Sequence, residues 1–189
     1  MVGAFIERAG LPPARPGEGD AFASLARAIV FQQLAGRAAA AIHRRFVEAI
    51  GGTVDAASIL AVDTPTLRAA GLSGAKTTSL QDLAAKVADG TVPLHELAAL
   101  DDDEIVNRLV TVRGIGRWTA EMFLLFELER PDVWPVDDLG VRLGWRLIHE
   151  EPELIKPRAL LAAGEPFRPH RSLLALVCWH AVHVERGQA

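Results

Sequence analysis

The stretch from Asp101 to Glu129 constrains this chain more than any other. It opens with an acidic run, Asp101 to Glu104, continues as an apolar-periodic segment to Val110, and turns through Val112-Arg113-Gly114-Ile115-Gly116. It resumes at once as Arg117-Trp118-Thr119-Ala120-Glu121-Met122-Phe123. Carboxylates in a first turn complement the helix dipole, so residues 101 to 110 read as a helix. The next helix is expected to run to about Glu129, which leaves room only for a tight hairpin between the two. Glycines there tolerate positive φ and leave no Cβ between the backbone and a ligand. The hairpin amides and the N-terminus of the following helix then face outward and can hold a phosphate. Such contacts position DNA without reading its sequence, and Arg113 and Arg117 flank the turn with positive charge. An ordinary helix–helix turn would use Gly114, Ile115 and Gly116 equally well.

The rest of the chain reads as more helix. Residues 10 to 19, GLPPARPGEG, form a Pro- and Gly-rich lead-in. Asp20 can cap a helix running to about Leu34, with Phe22, Leu25 and Ile29 on one face. A second helix, from about Arg37, carries Ile42, Phe46 and Ile50 and stops at Gly51-Gly52. Short helices are expected at 55 to 62 and at 64 to 70, the latter with Thr64 as cap and Pro65 at its first position. Ser73 opens a longer one to about Asp89. A Pro-interrupted loop, RPDVWP, leads into a helix beginning near Asp138, and a last helix starts near Pro169. Half of the residues are hydrophobic, with alanine and leucine supplying much of that share, which favours helices over strands. No strand pattern and no repeat stands out, and the expected class is all-α.

Charge and cysteine content narrow the function. A net charge of −4 argues against coating nucleic acid by bulk attraction, so any DNA contact must be local and geometric. Cys178 is the sole cysteine, which excludes an internal disulfide, a cysteine-rich zinc site and a four-cysteine iron–sulfur cluster. No basic start followed by an apolar run suggests a signal peptide, and no stretch of about 18 apolar residues suggests a membrane span. A soluble intracellular protein is the expectation.

GIGRWTAEMF followed by VDDLGVRL closely resembles the helix-hairpin-helix DNA glycosylases, specifically the DNA-3-methyladenine glycosylase II branch. AIVFQQLAGRAA, GLSGAKTTSLQDLA and FRPHRSLLALVCWHA match the same family in order, so the resemblance covers roughly residues 20 to 187. It implies a two-lobed helical fold with the active cleft between the lobes, one built from about 1–34 plus 131–189 and the other from about 35–130. The N-terminal β domain that bacterial relatives often carry is not expected.

The resemblance also implies roles for individual residues. Asp138, about 20 residues past Trp118, falls at the family's catalytic carboxylate. A carboxylate beside C1′ stabilises the positive charge that develops on the sugar as a base departs. Asp138 could equally be a plain helix cap, although capping is assigned here to the adjacent Asp137. Trp118, Met122, Phe31 and His170 are the candidate pocket residues; an indole face suits a cationic alkylated base. His170 stands where relatives often have a second aromatic. Gln33 and Leu34 resemble the turn that enters the minor groove, with Leu34 filling the gap left by the extruded nucleotide. Gly114, Ile115, Gly116, Arg113 and Arg117 would hold backbone phosphate. Bifunctional relatives use a lysine at the position of Trp118, and the only lysines are Lys76, Lys86 and Lys156. A monofunctional enzyme that leaves an abasic site is therefore implied.

No cofactor is required by this reading, although a sodium or potassium ion held by the carbonyls of Val110, Val112 and Ile115 is implied. The expected partner is double-stranded DNA containing alkylated bases, with no membrane. A monomer in the bacterial cytoplasm, associated with the nucleoid, completes the expectation. The alternatives are a non-catalytic helix-hairpin-helix module that recognises distorted DNA, and a glycosylase for deaminated or oxidised bases.

Overall fold

The computed structural model describes residues 1–13, 17 and 19–187. Among the described residues the regular structure consists of eleven α-helices and two single-turn 3-10 helices, with no strand. In chain order the α-helices are α1 (Val2–Ala9), α2 (Ala21–Phe31), α3 (Gly36–Ala49), α4 (Ala56–Leu60), α5 (Thr64–Ala69), α6 (Gly74–Ala88), α7 (Asp102–Leu109), α8 (Arg117–Phe126), α9 (Leu139–His149), α10 (Pro157–Gly164) and α11 (Arg171–Glu185). The expected lead-in at 10 to 19 lies partly outside the described residues.

Side-chain caps set six of the eleven helix starts among the described residues. Asp20, Asp55, Asp63, Ser73, Asp101 and Asp138 each accept the backbone N–H three residues on, supplying an acceptor for an amide that has no partner within its helix. Asp63, not Thr64, caps α5, and Pro65 sits in its first turn. Two expected ends move inward because the chain turns left-handed. Gln33 has φ 57° and Glu129 has φ 50°, so α2 stops at Phe31 and α8 at Phe126. Two helices were not anticipated: α1, and α10, which carries a proline at its start.

The helices group into two compact units. Gly17–Phe123 forms one, holding α2 to α7 and most of α8; the other takes α1 and everything from Leu124 onward. This division differs from the expected boundaries near 34 and 131. Helix α2 packs against α3 and α6 and buries Leu25 and Ile29 almost completely, so it belongs with the middle of the chain. Phe46, Ile59, Leu67, Leu80, Leu83, Leu97, Ile105 and Leu109 complete that core.

In the other unit, α11 runs against α9, and α1 packs on both. Gly144 makes the α9–α11 approach possible: a Cβ there would lie 1.9 Å from the Cys178 carbonyl oxygen. A second close contact involves Gly164, where a Cβ would lie 2.4 Å from Trp134 Nε1. That N–H donates to the Leu160 carbonyl at 2.9 Å. Trp134 and Trp145 are both buried packing residues. At the start of α11, Arg171 clamps Asp132 with two bonds of 2.7 Å, and this fork holds the Asp132 carboxyl below its usual range.

Because the Cβ of Gly144→Ala would overlap backbone rather than a movable side chain, α9 and α11 must separate to admit it. Unfolding in urea is expected to show a loss of about 1–3 kcal/mol or more, whereas alanine at the open Gly36 position should change stability by less than about 1 kcal/mol.

Candidate active site

The hairpin is braced from below by α6. Gly114 adopts φ 81°, and a Cβ there would lie 2.5 Å from Ser79 Oγ. Both facts require glycine at that position. The Ile115 amide donates to the Val112 carbonyl at 3.0 Å and closes the turn. Asp82 accepts the Arg113 amide at 2.7 Å and the Lys86 ammonium at 2.7 Å. Lys86 also donates to the Thr111 carbonyl. Partial burial pushes the Asp82 carboxyl up, but the Arg113 amide and Lys86 more than offset this and hold it below its usual range.

Gly116 differs from Gly114. It has no positive φ, and nothing lies within 4 Å of where its Cβ would stand. No packing neighbour or left-handed backbone demands glycine there. Arg113 and Arg117 are exposed, and Arg117 pairs with Glu121 at 3.0 Å, so its guanidinium carries a partner on its own helix.

Beside the hairpin, in the same unit, lies a pocket of about 550 Å³. Helix α2 contributes Ala28 and Phe31, the following turn Gln32 and Gln33, the hairpin Gly114, and α8 Trp118, Thr119 and Met122. Trp118 is 48% exposed on the first turn of α8, and Met122 follows four residues later on the same face. Neither is a residue of the closed core. Phe31 is fixed from other directions: the Arg27 guanidinium lies 4.1 Å from its ring centre and His43 meets it edge-on at 5.9 Å.

Two bonds secure the turn after α2. The Gln32 side-chain amide donates to the Gly114 carbonyl at 2.8 Å, joining the turn to the hairpin. Lys76 Nζ donates to the Val30 carbonyl at 2.6 Å at the end of α2, and burial lowers its pKa. Leu34 is 38% exposed, so it is not a core residue at a helix end.

Asp138 and His170 belong to the other unit. Asp138 is half-buried at the N-cap of α9, and its Oδ1 accepts the Val141 amide at 2.7 Å and the Trp179 indole N–H at 2.8 Å. The capping role assigned to Asp137 is therefore filled by Asp138, with Asp137 exposed. Asp138 sits three residues before the Val141 amide, the offset a cap requires, and Asp137 sits four before it. His170 is the exposed N-cap residue of α11.

Asp82, Lys86, Gln32 and Trp179 were not singled out from the sequence, because each reaches the hairpin or Asp138 through a partner at least 25 residues away. Among the described residues no group of three or more His, Cys, Asp or Glu side chains could hold a metal ion. None of their helices is long and apolar enough to cross a membrane.

The sequence profile of the HhH-GPD superfamily of base excision DNA repair proteins matches residues 26–169. The chain belongs to this family. It is 37% identical over 163 residues to DNA-3-methyladenine glycosylase 1 of Schizosaccharomyces pombe, covering 85% of this chain and 72% of the relative. The crystal structure of the DNA-3-methyladenine glycosidase of Bacillus halodurans matches with TM-score 0.92 and 31% identity, over 99% of this chain and 86% of that one. The S. pombe 3-methyladenine DNA glycosylase, solved in complex with abasic DNA, matches with TM-score 0.80 and 34% identity, over 94% and 88% of the two chains.

Within the HhH-GPD hairpin of this chain the two glycines should separate cleanly by stability. Gly114→Ala combines strained backbone with the Ser79 contact and is expected to lower the melting temperature by several degrees, about 1–3 kcal/mol. Gly116→Ala, in open space, should melt within about 0.5 kcal/mol of wild type.

Proposed function

We propose that this protein is a monofunctional DNA glycosylase of base excision repair. It hydrolyses the N-glycosidic bond of alkylated purines such as 3-methyladenine and leaves an abasic site in duplex DNA. The observation that carries this reading is the pocket beside the hairpin, walled by the exposed face of Trp118 with Met122 and Phe31, in a chain of this family.

The chemistry follows from the substrate's charge. Alkylation at N3 or N7 makes the purine cationic, so the bond to C1′ can break with its electron pair leaving on a neutral base. Water then adds at C1′ and loses a proton. No strong general acid is needed; what the reaction needs is a negative charge near the sugar as it becomes oxocarbenium-like. Asp138 is assigned that role. Trp118 stacks on the extruded cationic base, an attraction worth about 0.5–2 kcal/mol, while Met122 offers a polarisable neighbour. His170 is assigned to the same role in base recognition, by stacking or by a hydrogen bond from its imidazole. Leu34, exposed on the turn that Gln32 ties to the hairpin, is suited to fill the vacated stack. Gly114 and Gly116 are assigned to present amides to a phosphate, with Ile115 between them closing the turn and Arg113, Arg117 and Gln33 alongside. Alanine at Gly116 is expected to weaken duplex binding while sparing stability, since the open space there suits a phosphate rather than a packing neighbour.

A sodium or potassium ion on the carbonyls of Val110, Val112 and Ile115 belongs to the same reading. Hard main-chain oxygens suit such an ion, and its charge would strengthen the hairpin's hold on a phosphate. The compartment that fits is the one holding the chromosome, in a bacterium the cytoplasm, and a monomer suffices for the chemistry.

The lysines support the monofunctional assignment. Trp118 occupies the position at which bifunctional relatives place a Schiff-base lysine. Lys76 and Lys86 are bonded to the Val30 carbonyl and to Asp82 respectively, and Lys156 precedes α10.

Release of 3-methyladenine and 7-methylguanine from methylated duplex DNA tests the function. Wild type should release base, and Asp138→Asn, which keeps a capping oxygen but no charge, should lose at least about 100-fold in rate. Equal rates would remove Asp138 from the mechanism; binding without release would make the chain a DNA-binding module. Borohydride added during turnover should trap no protein–DNA adduct, because tryptophan and not lysine stands at the position from which the imine would form.

A further inference from the structure

The cap bond to Val141 fixes where the Asp138 carboxylate sits but not how its plane is turned. A carboxylate accepting one N–H can still rotate about Cβ–Cγ, and the terminal torsion of an aspartate is broad. A second donor on the same oxygen restricts that rotation. Trp179 supplies it, with Nε1 2.8 Å from Oδ1.

The indole is itself held on several sides. Its ring stacks on Phe126 with centres 5.7 Å apart and planes 25° apart. Gly140, the second residue of α9, leaves the space the indole edge occupies: a Cβ there would lie 2.6 Å from Trp179 Cδ1 and 3.1 Å from Asp138 Oδ1. Gly144, next on that side of α9, sets the distance to α11 by its contact with the Cys178 carbonyl, the residue preceding Trp179. The donor is thus aimed by packing on both helices.

Resting on the assignment of Asp138 to the sugar's developing charge, we propose that Trp179 is a positioning residue for this reaction. Its indole N–H fixes the plane of the carboxylate so that the negative charge is presented to the anomeric carbon in one orientation. Electrostatic stabilisation depends on such preorganisation, because a charge that must turn into place during the reaction loses part of its effect. A tryptophan that merely glued α9 to α11 would contribute stability and nothing specific to the transition state.

The test uses the full chain and two duplexes that mimic different stages. One carries a pyrrolidine in place of the deoxyribose, cationic where C1′ becomes cationic; the other carries neutral tetrahydrofuran. Trp179→Phe keeps a ring against Phe126 but deletes the donor. It should slow single-turnover release of 7-methylguanine about tenfold, bind the tetrahydrofuran duplex within about twofold of wild type, and lose about tenfold of the preference for pyrrolidine over tetrahydrofuran. In the Asp138→Asn background the same change should add nothing to the loss. Replacement of Trp179 by its benzothiophene analogue, nearly the same shape with sulfur for N–H, should reproduce these effects and decides the matter if the phenylalanine variant does not fold.

An unchanged rate and pyrrolidine preference in the benzothiophene protein would overturn the proposal, as would an equal loss in the presence and absence of the Asp138 charge. If Asp138→Asn alone releases base at the wild-type rate, the assignment of Asp138 fails first, and that result is distinct from either of these.

Discussion

The closeness of α9 to α11 is the constraint on which much of the C-terminal unit depends. With glycine at 144 facing the backbone of Cys178, the two helices meet without a side chain between them. Only at such a separation can the indole of Trp179 reach the first turn of α9 and share Asp138 Oδ1 with the Val141 amide. A bulkier residue at 140 or 144 would push the indole away from the carboxylate. The same contact that packs the unit therefore sets the direction of its one carboxylate of mechanistic interest. Stability and the site's geometry share a cause.

The other unit solves a different problem, that of holding a sharp turn rigid while leaving its outer edge bare. Ser79, Asp82 and Lys86, all from α6, contact the hairpin from one side through Gly114, the Arg113 amide and the Thr111 carbonyl. Gln32 reaches it from the turn after α2. The hairpin, the pocket wall and the turn carrying Leu34 are thereby parts of one hydrogen-bonded assembly. At Gly116, by contrast, nothing lies within 4 Å of where a Cβ would stand.

Much of this was legible in the chain, for identifiable reasons. Helix starts were readable where a short polar side chain precedes an apolar period, as at Asp20 and Ser73, since a cap acts over three residues and leaves a local mark. Helix ends were less so: Gln33 and Glu129 go left-handed without being glycine, and nothing in their side chains announces it. The choice of Asp137 over Asp138 as cap failed because adjacent aspartates look alike until the amide that one of them faces is known. The site divides in the same way. Trp118, Met122 and Asp138 have roles that the family resemblance implies, whereas Asp82, Gln32 and Trp179, which also lie in matched stretches, owe theirs to pairings across 31, 82 and 41 residues. Sequence spacing carries no trace of such pairings. The lobe boundary near residue 34 was misplaced for a related reason, since α2 buries its apolar face against α3 and α6.

The lone thiol has a bearing on the conditions under which such an enzyme works. Cys178 is fully buried, and burial, reinforced by the nearby Asp138 charge, pushes its pKa up to about 12. Methylating agents attack thiolates far faster than thiols, and at neutral pH this side chain is almost wholly protonated and out of reach. On the proposed function, the protein must survive the reagents that made the damage. Here the most nucleophilic element in its composition is shielded from the electrophile by the packing between α9 and α11.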